Sequence, residues 1–184
     1  MQQVSLPWKN GAGTTDEILV LPPGAGRDAF DLRISSATIA EPAGFSAFPG
    51  VERWITVIEG AGVRLDFDES PQVLHPLMPC RFDSALTPVG QALGGTARVV
   101  NVMAARAAWT LGAAKVLAGS AELDLGEDEQ AAIFIIAGEW RITGAGTELR
   151  LGPRDFVLPG DGQFRLEAGA EQPRALLVPM ARAG

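Results

Sequence analysis

Arg33 and Ser35 alternate in "LRISSA", so an extended chain places both on one face. Asn101 and Met103 do the same in "VVNVMA". Phe45, Ser46 and Phe48 fall in the Gly- and Pro-rich stretch "EPAGFSAFPG", suited to a barrel mouth, and Arg53 follows its closing turn. Apolar walls with a few convergent polar groups are how small-molecule pockets are built. Two guanidiniums and an amide favour a small carboxylate, which guanidinium grips with two parallel hydrogen bonds. The candidate ligand-binding set is therefore Arg33, Ser35, Phe45, Ser46, Phe48, Arg53, Asn101 and Met103, joined by Asn10 and Glu17 from the N-terminal stretch. Each has a plainer role to weigh against this. A lone Arg on a strand sits at a rim, phenylalanines fill cores, and Asn10 precedes a glycine as turn residues do.

Other chemistries find little material. His75 is the single histidine, and one imidazole cannot build a His-rich zinc or iron centre, so neither metal nor cofactor is expected. Cys80, in "MPCRF", reads as a small semi-buried hydrophobe, and a Ser-His-Asp triad would need both His75 and a nucleophile elbow that is missing. The stretch "WKNGAGTTDEI", residues 8 to 18, looks at first like a phosphate cradle. Its lysine precedes the glycines, and no amphipathic helix follows to offer its N-terminus. It reads instead as an Asn-Gly turn anchored by Trp8, entering a strand on which Gly13, Thr15 and Glu17 share a face.

Three functions compete. The first is a metal-free protein that buffers or senses a small carboxylate metabolite. The second is a metal-independent isomerase, epimerase or hydrolase using Glu17 with Arg and Asn support. Acid–base work needs a positioned pair of titratable groups, and Glu17 is the one interior-facing carboxylate, which disfavours this reading. The third is a structural module, with a vestigial cavity, that forms a homodimer.

The elements that must position these residues are short. Gly (22) and Pro (13) punctuate apolar or alternating runs such as "RWITVIEG", "ARVVNVMA", "AAIFIIAG" and "ALLVPMA", the pattern of many strands joined by turns. An all-β fold follows. Residues 104–118, "AARAAWTLGAAKVLA", leave helix and irregular linker both open. A repeat is visible: Gly60 answers Gly138, Phe82 answers Phe156, and Met103-Ala104 answers Met180-Ala181, each closely followed by Arg106 or Arg182. Two related jelly-roll-like β barrels in one chain, a bicupin, are expected. The N-terminal cupin lobe (residues 1–110) would carry the pocket, and the C-terminal lobe (111–184), with its almost wholly apolar strands, would be degenerate.

A net charge of −7, with lysine only at Lys9 and Lys115, argues against nucleic acid. The apolar runs are too short to span a bilayer, and "MQQVSLPWKN" has neither the basic nor the apolar region of a signal peptide. One cysteine suits a reducing compartment, so a cytoplasmic protein is expected.

"WKNGAGTTDEI" resembles the opening motif of the HutD/Ves family. "DLRISSATIAEPAGFSAFPGVERWITVIEGAGVRL" is similar to its central block, and "VVNVMAAR" to its D-F-N-x-M motif with a trailing Arg. The resemblance covers residues 8 to 106 well and the second lobe in general character. It implies a bicupin-like fold, an association with histidine utilisation, and a ligand-binding or regulatory role. Two departures stand out. Ala12 and Asp16 replace a glycine and a basic residue, and Val99-Val100 replaces Asp-Phe, which leaves Asn101 as the polar residue on its strand face. The ligand implied by the family is therefore open for this chain.

Overall fold

A computed structural model describes residues 4–7, 13–26, 28–68 and 70–184. Among them every regular element is a strand. The chain divides into two units between Trp109 and Thr110.

The first unit holds β1 (Val4–Pro7), β2 (Gly13–Leu21), β3 (Leu32–Ile39), β4 (Ala43–Gly44) and β5 (Val51–Glu59). It continues with β6 (Val63–Asp66), β7 (Pro71–Leu74), β8 (Cys80–Asp83), β9 (Val89–Ala92) and β10 (Ala97–Ala105). One sheet runs β1-β2-β3-β10-β5-β8 and the other β4-β9-β6-β7. Both contribute to one core, in which Ile55, Val57, Val63 and Leu65 are fully buried. Each such side chain stabilises the fold by about 1.5–3 kcal/mol. Alternation sets the faces: in β10, Val99, Asn101 and Met103 point one way and Val100, Val102 and Ala104 the other.

A short β11 (Trp109–Leu111) spans the division. The second unit then holds β12 (Lys115–Leu117), β13 (Ala121–Leu125), β14 (Glu129–Ala137) and β15 (Trp140–Gly144). It ends with β16 (Thr147–Leu151), β17 (Phe156–Val157), β18 (Gly162–Ala168) and β19 (Arg174–Arg182). Here β12-β19-β14-β17 reproduces the order β3-β10-β5-β8, and β13-β18-β15-β16 reproduces β4-β9-β6-β7. The fold is thus all-β with one sandwich topology used twice, to which the first unit adds the β1-β2 hairpin.

Gly60 and Gly138 mark the same place in both units. Each follows a nine-residue strand with positive φ (98° and 72°) and lies against the backbone just before the partner strand, where a Cβ would stand 2.6 Å from Thr96 O or 2.9 Å from Glu171 O. The registers correct the other pairings of the repeat. Arg53 corresponds to Ala131, so Met103, beside Arg53, corresponds to Pro179, beside Ala131. Met180 is one residue off and falls on the opposite face. Phe82 pairs with Arg53, whereas Phe156 pairs with Phe134, so these phenylalanines are not equivalent either. The stretch 104–118 forms no helix. Trp109 and Leu111 alternate buried with exposed Thr110, and period-two burial overrides the helical leaning of its alanines.

Candidate functional site

The site grows from three strands held side by side. Met103 of β10 has Arg33 of β3 as its neighbour on one side and Arg53 of β5 on the other. Two residues back, Asn101 lies between Ser35 and Ile55, and Ser35 in turn has Glu17 of β2 beside it. Because strands repeat every two residues, these rows face the interior together. There they line a cavity of about 460 Å³, closed on another side by the segment from Gly44 to Phe48.

Arg33, Ser35, Phe45, Ser46, Phe48, Arg53, Asn101 and Met103 all line this cavity. Glu17 does not; its Oε2 lies 3.4 Å from Arg33 Nε, beside the lining. A register shift between Glu17 and Leu19 breaks the alternation of β2 just there. Asn10 lies outside the described residues. Sequence reasoning missed Thr15 and Asp28 in the lining. Thr15 shares the face already assigned to Glu17 and could have been found by the same alternation; Asp28, in an irregular stretch, gave no signal.

Arg33, Arg53 and Asn101 are 7%, 4% and 6% exposed, so two guanidiniums and an amide are withdrawn from water in a chain of net charge −7. Arg53 is held by two serines and three rings. Its Nε and Nη2 donate to Ser84 Oγ at 3.0 and 2.8 Å, and Nη2 reaches the Ser46 carbonyl at 3.5 Å. The rings of Phe45, Phe82 and Phe48 lie 5.1, 5.3 and 6.0 Å from its guanidinium carbon. The backbone carbonyl of Ser84, a fully buried residue, accepts from Phe48 N, which pins the loop. Gly90 makes room for Phe45, whose ring would stand 2.5 Å from a Cβ there. Burial, and then the Arg33 charge, push Arg53 down to about 10. The guanidinium remains charged at neutral pH, at a cost that a bound anion would offset.

The Asn101 Oδ1 is buried with no hydrogen-bond partner among the described residues. An amide left so is a group awaiting a partner. The lining holds no histidine or cysteine, and no cluster of three His, Cys, Asp or Glu side chains occurs among the described residues. His75 is exposed outside the strands. Burial raises the Cys80 thiol, only partly countered by the Gln72 amide at 3.3 Å, the reverse of an activated nucleophile.

The HutD family model matches residues 1–177. This chain belongs to the HutD family. A protein from the hutC 3′ region of Pseudomonas putida is 44% identical over 103 residues, which take in 53% of this chain and 52% of that protein. The chain thus spans about half the length of that curated relative. A HutD from Pseudomonas fluorescens, solved in a formate condition, superposes with a TM-score of 0.82 at 28% identity, over 99% of this chain and 95% of that one. A conserved-barrel cupin from Leptotrichia buccalis superposes with a TM-score of 0.61 at 10% identity, over 96% and 92%, and shows the fold alone. Among the described residues of this HutD chain no helix is long and apolar enough to cross a membrane. Val99 lines the cavity as a plain apolar wall.

Proposed function

We propose that the first unit binds a small carboxylate metabolite in this cavity without a metal, and that occupancy serves regulation of histidine or amino-acid utilisation in the cytoplasm. The observation that carries this reading is the pair Arg33 and Arg53, both buried and both facing one open cavity; the Asn101 Oδ1 beside them can accept from an N–H or O–H elsewhere on the ligand. Burying two like charges is costly, and an anion between them would relieve it. An open, polar-lined cavity also supports binding over a vestigial one. The biological setting rests on family membership and on the gene neighbourhood named for the Pseudomonas putida relative.

The second unit would be the degenerate partner. Arg53, Asn101 and Met103 correspond there to Ala131, Leu177 and Pro179, and its core is filled by Ile133, Ile135, Ile142 and Leu166. Ser35 corresponds to Lys115, which is exposed.

A thermal-shift screen of histidine-pathway metabolites and simple carboxylates, formate included, tests the proposal. A true ligand at a hundredfold excess over its Kd should stabilise the protein by about 2.7 kcal/mol. No shift with any carboxylate, at concentrations up to about ten millimolar, would remove the reading.

A further inference from the structure

The cavity gathers two buried cations but treats them differently. Arg33 faces Glu17, whose carboxylate lies 3.4 Å away on a side chain that keeps 32% exposure. Arg53 is surrounded by neutral acceptors and rings, and no described carboxylate lies within ion-pair reach of it.

We propose that Glu17 is a built-in counter-anion that sets the charge selectivity of the cavity. It occupies Arg33 and leaves Arg53 for the ligand, so the site accepts monoanionic carboxylates and rejects dianions of the same length. This rests on the carboxylate-binding reading of the same cavity. The physical basis is repulsion. A second carboxylate reaching Arg33 must displace Glu17 or lie beside it, and like charges held that close disfavour each other. Exposed Asp28 in the lining adds to the repulsion at the edge. Selectivity built from an opposed charge is a common route to discrimination. Asn101 fits the same scheme where the ligand carries a neutral N–H or O–H, which its amide oxygen can accept.

The test is calorimetric titration of the full chain with pentanoate and glutarate, which share a chain length and differ in charge. Wild type should bind pentanoate at least about tenfold more tightly than glutarate. Glu17→Gln removes the charge and keeps the shape, and should shrink that preference to about threefold or less. A preference unchanged in Glu17→Gln overturns the counter-anion role. If that variant does not fold, Glu17→Asp draws the carboxylate back from Arg33 and should reduce the preference in the same direction; an unchanged ratio there is equally fatal. Arg53→Ala separates the two proposals. If it abolishes pentanoate binding while the Glu17 variants leave the ratio fixed, the cavity reading stands and the selectivity role falls alone. If wild type binds neither probe, both fall.

Discussion

Arg33 and Arg53 are cross-strand neighbours of the same residue, Met103, one from each side. Adjacent strands lie about 4.8 Å apart, so the two cations start roughly 10 Å from each other and converge on one cavity.

Removing either arginine should therefore damage binding more than folding. Arg53→Ala is expected to weaken carboxylate affinity about ten- to a hundredfold, the worth of a charge-assisted hydrogen bond, and Arg33→Ala by less, because Glu17 already faces Arg33. Titration of both variants with the best screened carboxylate, beside their urea midpoints, decides it. An arginine whose loss leaves affinity unchanged is not part of the site.

Arg53→Met should hold or raise stability while binding is lost, because a buried charge is exchanged for an apolar stem of similar reach. The pH course has a definite sign. Below about 10 Arg53 is protonated in both folded and unfolded chains, and its buried charge subtracts from stability. Above about 10 the folded protein releases that proton before the unfolded chain does, and the subtraction fades. The stability advantage of Arg53→Met should be greatest near neutral pH and shrink as pH rises through about 10. An unfolding free energy lower by more than about 1 kcal/mol at neutral pH would show that the Ser84 bonds and ring contacts outweigh desolvation.

Asn101→Leu installs the residue found at the corresponding position of the second unit, Leu177. It removes a buried amide oxygen that has no partner among the described residues, so the unfolding free energy should rise by about 1 kcal/mol as affinity falls. Loss of stability together with unchanged affinity would mean that the amide serves the fold.

Ile135→Ala opens a hole in the second unit's core, where Ile135 is fully buried, and should cost about 2–5 kcal/mol in denaturant melts. A loss under about 1 kcal/mol would mean that the core closes over the gap.

Two glycines with similar backbone angles should respond differently. Gly50→Ala meets open space at φ 78° and should cost about 1–2 kcal/mol, the conformational penalty alone. Gly60→Ala, at φ 98°, would also drive its methyl to 2.6 Å from the Thr96 carbonyl, and should cost distinctly more. Equal costs would show that the Thr96 backbone yields freely.

Alternation made much of this legible. Arg33 with Ser35 and Asn101 with Met103 could be placed on shared faces because a strand's period is fixed, and the punctuation by Gly and Pro gave away the all-β character. What alternation cannot supply is register. The repeat was aligned on two methionines, yet Met180 lies one residue away from the counterpart of Met103, and in a strand that single step reverses the face. Nor could alternation show that the Glu17 carboxylate lies against Arg33 and outside the lining. Ser84 was invisible for another reason: its role is to hold Arg53, 31 residues away, and nothing local in "FDSALTP" announces a long-range partner.

The clamp on Arg53 has a bearing on timing. Three rings and a serine fix the guanidinium before any ligand arrives, so its ordering is complete when the chain folds. A small anion binding such a site would not have to wait for the guanidinium to be ordered, so its arrival would be fast. With few contacts to break, it also leaves quickly. Occupancy would then follow the metabolite's concentration moment by moment, as a gauge does, and keep no memory of an earlier surge.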